Sequence, residues 1–255
     1  MKSLIITVAG IASRFNKDTD KDVLKCLYFE GTPDKSLLSI QIHSVYNLVD
    51  EIIVVGGYKF EDLKDFIKLH LNTFGSKIKL VYNDHFRDYG SGYSLLLGIN
   101  AVSPDASEIS FIEGDLLFNS DSATAIINSS KDVISINDEP ILSNKAVALY
   151  LNAYGYPRYI YDTKHSFLEI NEPFTAIYNS GQMWKFSNAK RVKNICTLLS
   201  EEQKQGTNLE IIQKYFGFVK SSELDIVRVR PWFNCNTVSD YREAISVLLQ
   251  SGNRI

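Results

Sequence analysis

The chain has 255 residues, 45% of them hydrophobic and 22% charged, with a formal net charge of −3. That length suits one large α/β domain or two small ones, and the slightly acidic balance offers no broad basic face for nucleic acid. Cys26, Cys196 and Cys235 form no Cys-x-x-Cys pair, so neither a zinc knuckle nor a disulfide framework is indicated, and a reduced cytoplasm is the expected setting.

Leu4-Ile5-Ile6-Thr7-Val8-Ala9 is apolar and rich in β-branched residues, the mark of a buried strand. It runs into a small-residue loop from Gly10 to Phe15 and then a charged loop over 16–22. A helix is expected over 36–48, a strand over 51–57 ending in glycines, and an amphipathic helix over 58–71. A strand over 77–82, a helix over 93–101 and a strand over 109–112 follow. This alternation predicts parallel strands with right-handed crossovers, whose carboxyl ends share one ligand-binding rim.

The second half changes character. Short strands are expected over 133–136, 146–151, 158–161 and 225–229, helical segments over 188–199, 208–216 and 240–249, and an aromatic stretch over 174–186 stays unassigned. No Pro/Ser-rich linker separates the halves. The reading is one continuous domain over 1–255, with 1–130 the nucleotide-binding half and 131–255 the acceptor half. No apolar run approaches the roughly 20 residues of a membrane span. The opening, one lysine and then a strand, is too short and β-branched for a signal peptide.

The end of the first strand is the first candidate for chemistry. A strand that runs into a small-residue loop leaves N–H groups that can wrap a phosphate chain, and Arg14 and Lys25 add two cations. No Gly-Lys-Ser/Thr follows, so it is not a Walker loop, and one glycine does not make a dinucleotide fingerprint. The same residues also suit a surface loop with two solvated cations.

Ala9-Gly10-Ile11-Ala12-Ser13-Arg14-Phe15, followed by Leu24-Lys25-Cys26-Leu27, resembles the signature of nucleotidyltransferases that make sugar-nucleotide-type products. Their pattern is A-G-x-G-[ST]-R and then proline-lysine-x-leucine. The likeness is nearest to the bacterial cytidylyltransferases that take CTP and phosphocholine or a phospho-amino-acid. Ala12 replaces the second glycine and Leu24 the proline. The resemblance implies a Rossmann-like, doubly wound mixed α/β sheet of the kind shared with GT-A glycosyltransferases. It also implies that Ala9, Gly10, Ala12 and Ser13 bind the nucleotide, with Arg14 and Lys25 as catalytic cations.

Asp115 ends a buried strand and follows Glu113-Gly114. A carboxylate there is placed to hold Mg²⁺ against phosphate oxygens, or else to cap the following turn. In the resembled family a second ligand precedes the last helix, where Asn236 stands in Trp232-Phe233-Asn234-Cys235-Asn236-Thr237. Asn236 or Thr237 equally suits an N-cap. The stretch 82–94 resembles the cytidylyltransferase base pocket, implying that Asn83, Gly90 and Ser91 bind the nucleotide along with Glu113. Gly90-Ser91 at a helix start would offer free N–H donors and a hydroxyl to a pyrimidine, and a helix N-terminus capped by Ser91 is the other reading.

In place of the Glu-Lys-Pro of sugar-1-phosphate enzymes the chain has Asn171-Glu172-Pro173. Glu172 would repel a phosphate, and among aromatics such as Tyr178 and Trp184 it could face an ammonium. These three residues are the expected acceptor contacts, although an ordinary surface Glu fits as well. The four histidines show no metal spacing and no nucleophile motif accompanies them. A phosphate monoester, largely dianionic with a second pKa near ~6, needs no general base.

The expected function is therefore a Mg²⁺-dependent cytidylyltransferase that joins CMP from CTP to a small phosphate monoester and releases pyrophosphate. The alternatives are a sugar-1-phosphate nucleotidyltransferase, a GT-A glycosyltransferase using a nucleotide-sugar, and a nucleotide-sensing module without turnover. CTP and the acceptor are the expected partners, without nucleic acid or membrane insertion. Pairing of two copies is compatible with the resemblance, which also implies a role in decorating cell-surface polysaccharide.

Overall fold

The computed structural model describes residues 1–19, 22–142, 147–160 and 168–250. The expected strand ends Ala146 and Tyr161, with His165, lie outside the described residues. In chain order the elements begin with β1 (Lys2–Thr7), α1 (Ser13–Thr19), α2 (Leu37–Val45), β2 (Glu51–Gly56), α3 (Phe60–His70) and β3 (Ile78–Tyr82). Next come α4 (Ser91–Ala101), β4 (Glu108–Glu113), β5 (Leu116–Phe118), α5 (Ser120–Asn128), β6 (Asp132–Asn137), β7 (Ala148–Asn152) and β8 (Pro157–Ile160). The chain continues through β9 (Phe174–Phe186), α6 (Ala189–Thr197), α7 (Glu201–Gln205), α8 (Leu209–Phe216), β10 (Leu224–Arg228), β11 (Trp232–Asn234) and α9 (Val238–Gln250).

Nine strands form one mixed sheet in the order β10-β6-β9-β4-β1-β2-β3, with β7 paired to β9 and β8 to β7. β1 runs parallel to β2 and β4, and β2 parallel to β3, as the strand–helix alternation predicts. β9 is the exception. It lies antiparallel between β4 and β6, so one continuous sheet crosses from the first half of the chain into the second.

Side-chain alternation divides the core into two layers. Leu4 and Ile6 of β1, with Ile52 and Val54 of β2, face the layer that includes α2, α3, α5 and α9. Ile5, Ile53 and Val55 face the layer built on α4, α6 and α8. Burying each such side chain contributes roughly 1.5–3 kcal/mol, which explains why strands covered on both faces read as unbroken apolar runs.

The expected charged loop over 16–22 is corrected in part, because Ser13–Thr19 is helical. Only Phe15 of this short helix is buried, edge-on to Tyr28 at 5.1 Å, so no periodic pattern marks it in the sequence. The aromatic stretch over 174–186 is the long strand β9, which carries a register shift opposite Ile134 and Ile136 and a positive φ of 56° at Gln182.

Candidate active site

The carboxyl ends of β4, β1, β2 and β3 lie side by side, and the loops that leave β1, β3 and β4 close around a cleft of about 260 Å³. Ala9, Gly10 and Ala12 line it from the first loop, and Lys25 from the 3₁₀ turn Lys25–Leu27. Asn83, Gly90 and Ser91 line the opposite wall, with Glu113 and Asp115 at the end of β4. The sequence placed all of these together.

The two departures from the resembled pattern take backbone angles that the replaced glycine and proline also adopt. Ala12 holds φ 55°, the left-handed region in which a glycine is at home, so the chain takes the glycine conformation with an alanine. Leu24 holds φ −78°, within the range that proline fixes. A Cβ added to Gly10 would meet nothing within 4 Å. Gly10 lines the cleft, and the space over it is open.

Lys25 Nζ lies 3.0 Å from Asp115 Oδ2. The other carboxylate oxygen, Oδ1, is buried and has no hydrogen-bond partner among the described residues. A buried carboxylate oxygen in that condition is costly unless something outside the chain binds it. Glu113, two residues earlier, has its carboxyl pushed up to about 8 by burial and then by the neighbouring Asp115 charge. Its Oε1 accepts from Asn208 Nδ2 at 2.6 Å.

The last β-segment is tied to the same place. Cys235 N–H donates to the Asp115 carbonyl at 2.9 Å, and Asn236 Oδ1 accepts from Arg14 Nη2 at 3.0 Å. Thr237 caps α9 through its Oγ1, which accepts from Asp240 N–H at 3.1 Å. Asp240 Oδ2 in turn accepts from the Thr237 and Asn236 N–H groups at 2.8 and 3.0 Å. This reciprocal cap fixes the turn that presents Asn236. Ser13 and Arg14 open α1 beside the cleft, exposed and outside its immediate lining.

Two expectations about the base wall are corrected. Gly90 N–H is engaged, donating to the Gln205 carbonyl at 2.8 Å, and Ser91 does not cap α4. Gly90 is the N-cap residue, and Ser91 Oγ accepts from Asn208 N–H at 3.1 Å. The cause is the turn between α7 and α8, which packs so closely that a Cβ on Gly90 would stand 2.3 Å from the Gly206 carbonyl oxygen. Asn83 is buried, with its Nδ2 donating to Ser94 Oγ and its Oδ1 accepting from His85 N–H, each at 2.9 Å.

The three expected acceptor residues do not come together. Trp184 is wholly buried, stacked on Phe111 at 5.2 Å with its indole N–H donating to Tyr159 Oη at 2.6 Å, so it is a core residue. Glu172 does face a cation, but one of the chain's own. Arg158 Nε lies 3.5 Å away, and Tyr150 Oη and Asn152 Nδ2 donate to the carboxylate at 2.9 and 3.1 Å. Tyr178 is half-buried on β9 against the second core layer.

Sequence reasoning missed Phe86 and Tyr89, whose rings line the cleft, and Asn208, which reaches it from the second half. The two rings sit within the stretch already singled out. Nothing local to Asn208 marks it beyond its place at a helix start.

A family model described as Domain of unknown function (DUF6564) matches residues 21–248. The bifunctional protein GlmU of Methanococcus aeolicus is 24% identical over 188 residues, covering 72% of this chain. The chain spans 40% of that relative's length. Among solved structures, the inositol-1-phosphate CTP transferase from T. maritima superposes with a TM-score of 0.69 at 17% identity, covering 97% of this chain and 96% of that one. The CTP:phosphocholine cytidylyltransferase from Streptococcus pneumoniae does so with a TM-score of 0.63 at 16% identity, covering 97% and 99%. The Rossmann-like mixed α/β fold of nucleotidyltransferases is thereby shown.

Proposed function

The chain belongs to the DUF6564 family, and we propose that it is a nucleotidyltransferase that joins the nucleoside monophosphate of CTP to a small phosphate monoester and releases pyrophosphate. The observation that carries this reading is the cleft's charge arrangement. Lys25 is paired with one oxygen of Asp115 while the other is buried without a partner, opposite a loop whose Gly10 faces open space. Solved structures that share this fold over nearly the full chain use several different nucleotides, so the choice of CTP rests on the sequence resemblance of 82–94 to the cytidylyltransferase base pocket.

The acceptor's phosphate oxygen attacks the α-phosphorus of CTP. The new O–P bond forms as the bond from that phosphorus to the bridging oxygen of pyrophosphate breaks. The acceptor is largely dianionic at neutral pH, so no side chain has to remove a proton. The chain's contribution is position and charge. Lys25 and Arg14 neutralise the triphosphate, and the N–H groups of the Gly10 loop hold it. Asp115 Oδ1 is an oxygen donor suited to Mg²⁺, which when bound would supply further charge neutralisation on phosphate oxygens, and Asn236, whose Oδ1 accepts from Arg14 outside the cleft lining, would join it only by sharing or giving up that bond.

For the acceptor, the pairing of Glu172 with Arg158 removes the reason to prefer an ammonium-bearing phosphate. Sugar 1-phosphates therefore stand beside phosphocholine and phosphoglutamine as candidates. The deciding experiment is pyrophosphate release with Mg²⁺ across CTP, UTP, dTTP and ATP. Each is offered with phosphocholine, phosphoglutamine, phosphoethanolamine and glucose 1-phosphate. Release with CTP and any one of these acceptors is expected. Nucleoside diphosphate released from a nucleotide-sugar, or CTP bound without turnover for every acceptor, would overturn the reading.

A further inference from the structure

Asn208 joins two walls of the cleft that are distant in sequence. Its backbone N–H donates to Ser91 Oγ at 3.1 Å, and its carboxamide donates to Glu113 Oε1 at 2.6 Å. The turn that carries it is fixed on α4, where Gly90 and Gly92 N–H groups donate to the Gln205 and Gly206 carbonyls at 2.8 and 3.1 Å. Asn208 itself is 4% exposed, so its carboxamide is not a surface group that wanders. Glu113 Oε2 takes no partner among the described residues, and the Glu113 side chain lines the cleft.

Glu113 is linked through Asn208 to Ser91 on one side, and along the chain it is two residues from Asp115 on the other. On the proposed reading those flanks take the base and the phosphates, and the part of a nucleotide between base and phosphates is its ribose. An acidic side chain at a strand end is a group that accepts ribose hydroxyls in dinucleotide-binding folds. A hydroxyl both donates and accepts, so it suits a carboxyl group in either protonation state. An ammonium suits only the carboxylate.

We infer that Glu113 reads a ribose hydroxyl of the bound nucleotide through its Oε2, and that Asn208 is the positioning residue that aims it. The inference rests on the nucleotidyltransferase reading and goes beyond it, because it makes the cleft selective for ribonucleotides through a contact supplied by the acceptor half.

The experiment compares KM and Kd for CTP, 2′-deoxy-CTP and 3′-deoxy-CTP, the Kd by calorimetry with Mg²⁺. The parent protein is expected to bind one deoxynucleotide about 10- to 100-fold more weakly, the range for leaving a buried polar group without its partner. In Glu113→Ala that ratio is expected to fall below about threefold. In Asn208→Ala it is expected to be intermediate, with KM for CTP rising more than kcat falls. Glu113→Gln, which keeps a hydrogen-bonding oxygen in nearly the same volume, should retain part of the discrimination and covers the case in which the alanine variant does not fold. Equal affinity for all three nucleotides in the parent, or discrimination that persists in Glu113→Ala, would overturn the inference and leave the proposed function standing. Absence of any nucleotide binding would overturn both.

Discussion

Lys25 Nζ stands 3.0 Å from Asp115 Oδ2, which ties the turn after the first loop to the end of β4. The pair is partly buried, with side-chain exposures of 15% and 25%, so its members are held in place rather than roaming in water. A triphosphate offers Lys25 additional partners, and a cation offers Asp115 the same.

Lys25→Ala is therefore expected to lower pyrophosphate release about a hundredfold or more. The cost in stability should be near 1 kcal/mol, since the pair retains some solvent screening. Steady-state kinetics beside a urea titration separate the two effects. A Lys25→Ala protein that turned over at the parent rate would remove Lys25 from the mechanism.

The first loop offers two substitutions with opposite expectations. Gly10→Ala puts a methyl group where the fold leaves nothing within 4 Å, so stability should change by less than about 0.5 kcal/mol. The methyl group occupies the space assigned to phosphate, and KM for CTP should rise at least about tenfold. Ala12→Gly removes a left-handed alanine at φ 55° and should stabilise the protein by up to about 1 kcal/mol. Loss of stability in Gly10→Ala with an unchanged KM would mean that the glycine serves the fold and not a ligand.

The thiols give a pH prediction. Burial pushes Cys26 and Cys196 up to about 12, and Cys235 is raised as well, again chiefly by burial. Below about pH 9 the folded and unfolded chains both keep these protons. Above it the unfolded chain loses them first, so stability falls as pH rises toward 12. At pH 8 none of the three should react with a disulfide reagent in the native protein, and all three should react in guanidinium. Fast labelling of Cys26, in the wall of the cleft, would show that the cleft opens well beyond this structure.

How much of this was legible depended on distance along the chain. β1 and β2 announce themselves because both faces are covered, and Asp115 because it lies in the turn just past such a strand, where the sequence placed it at the strand's end. β9 did not, since Asn179-Ser180-Gly181-Gln182 interrupts its apolar pattern where the register shifts. Trp184 was misplaced because an aromatic residue beside a suspected pocket looks the same as one in the core. Gly90 was taken to offer its N–H to a base because its partner, the Gln205 carbonyl, is remote in sequence. Asn208 meets Ser91 across 117 residues, and no local spacing encodes that contact.

Lys185 is a long-range case with a direct consequence for stability. It sits on β9 at 1% exposure, and its ammonium is held by Glu108 Oε2 at 2.6 Å, by the Ile127 carbonyl at 2.9 Å and by the Ser129 carbonyl. Three acceptors match its three donors. Lys185→Ala leaves two carbonyls unpaired beside a cavity and Glu108 with Lys2 alone, 3.8 Å away, and is expected to cost about 3–5 kcal/mol. Lys185→Met fills most of the volume and should cost less, since only the polar partners are lost. Urea titration gives both values, and pyrophosphate release per folded molecule should stay at the parent level because Lys185 lies outside the cleft lining. A Lys185→Ala protein within 1 kcal/mol of the parent would mean that water takes the place of the ammonium and that this part of the sheet is open to solvent.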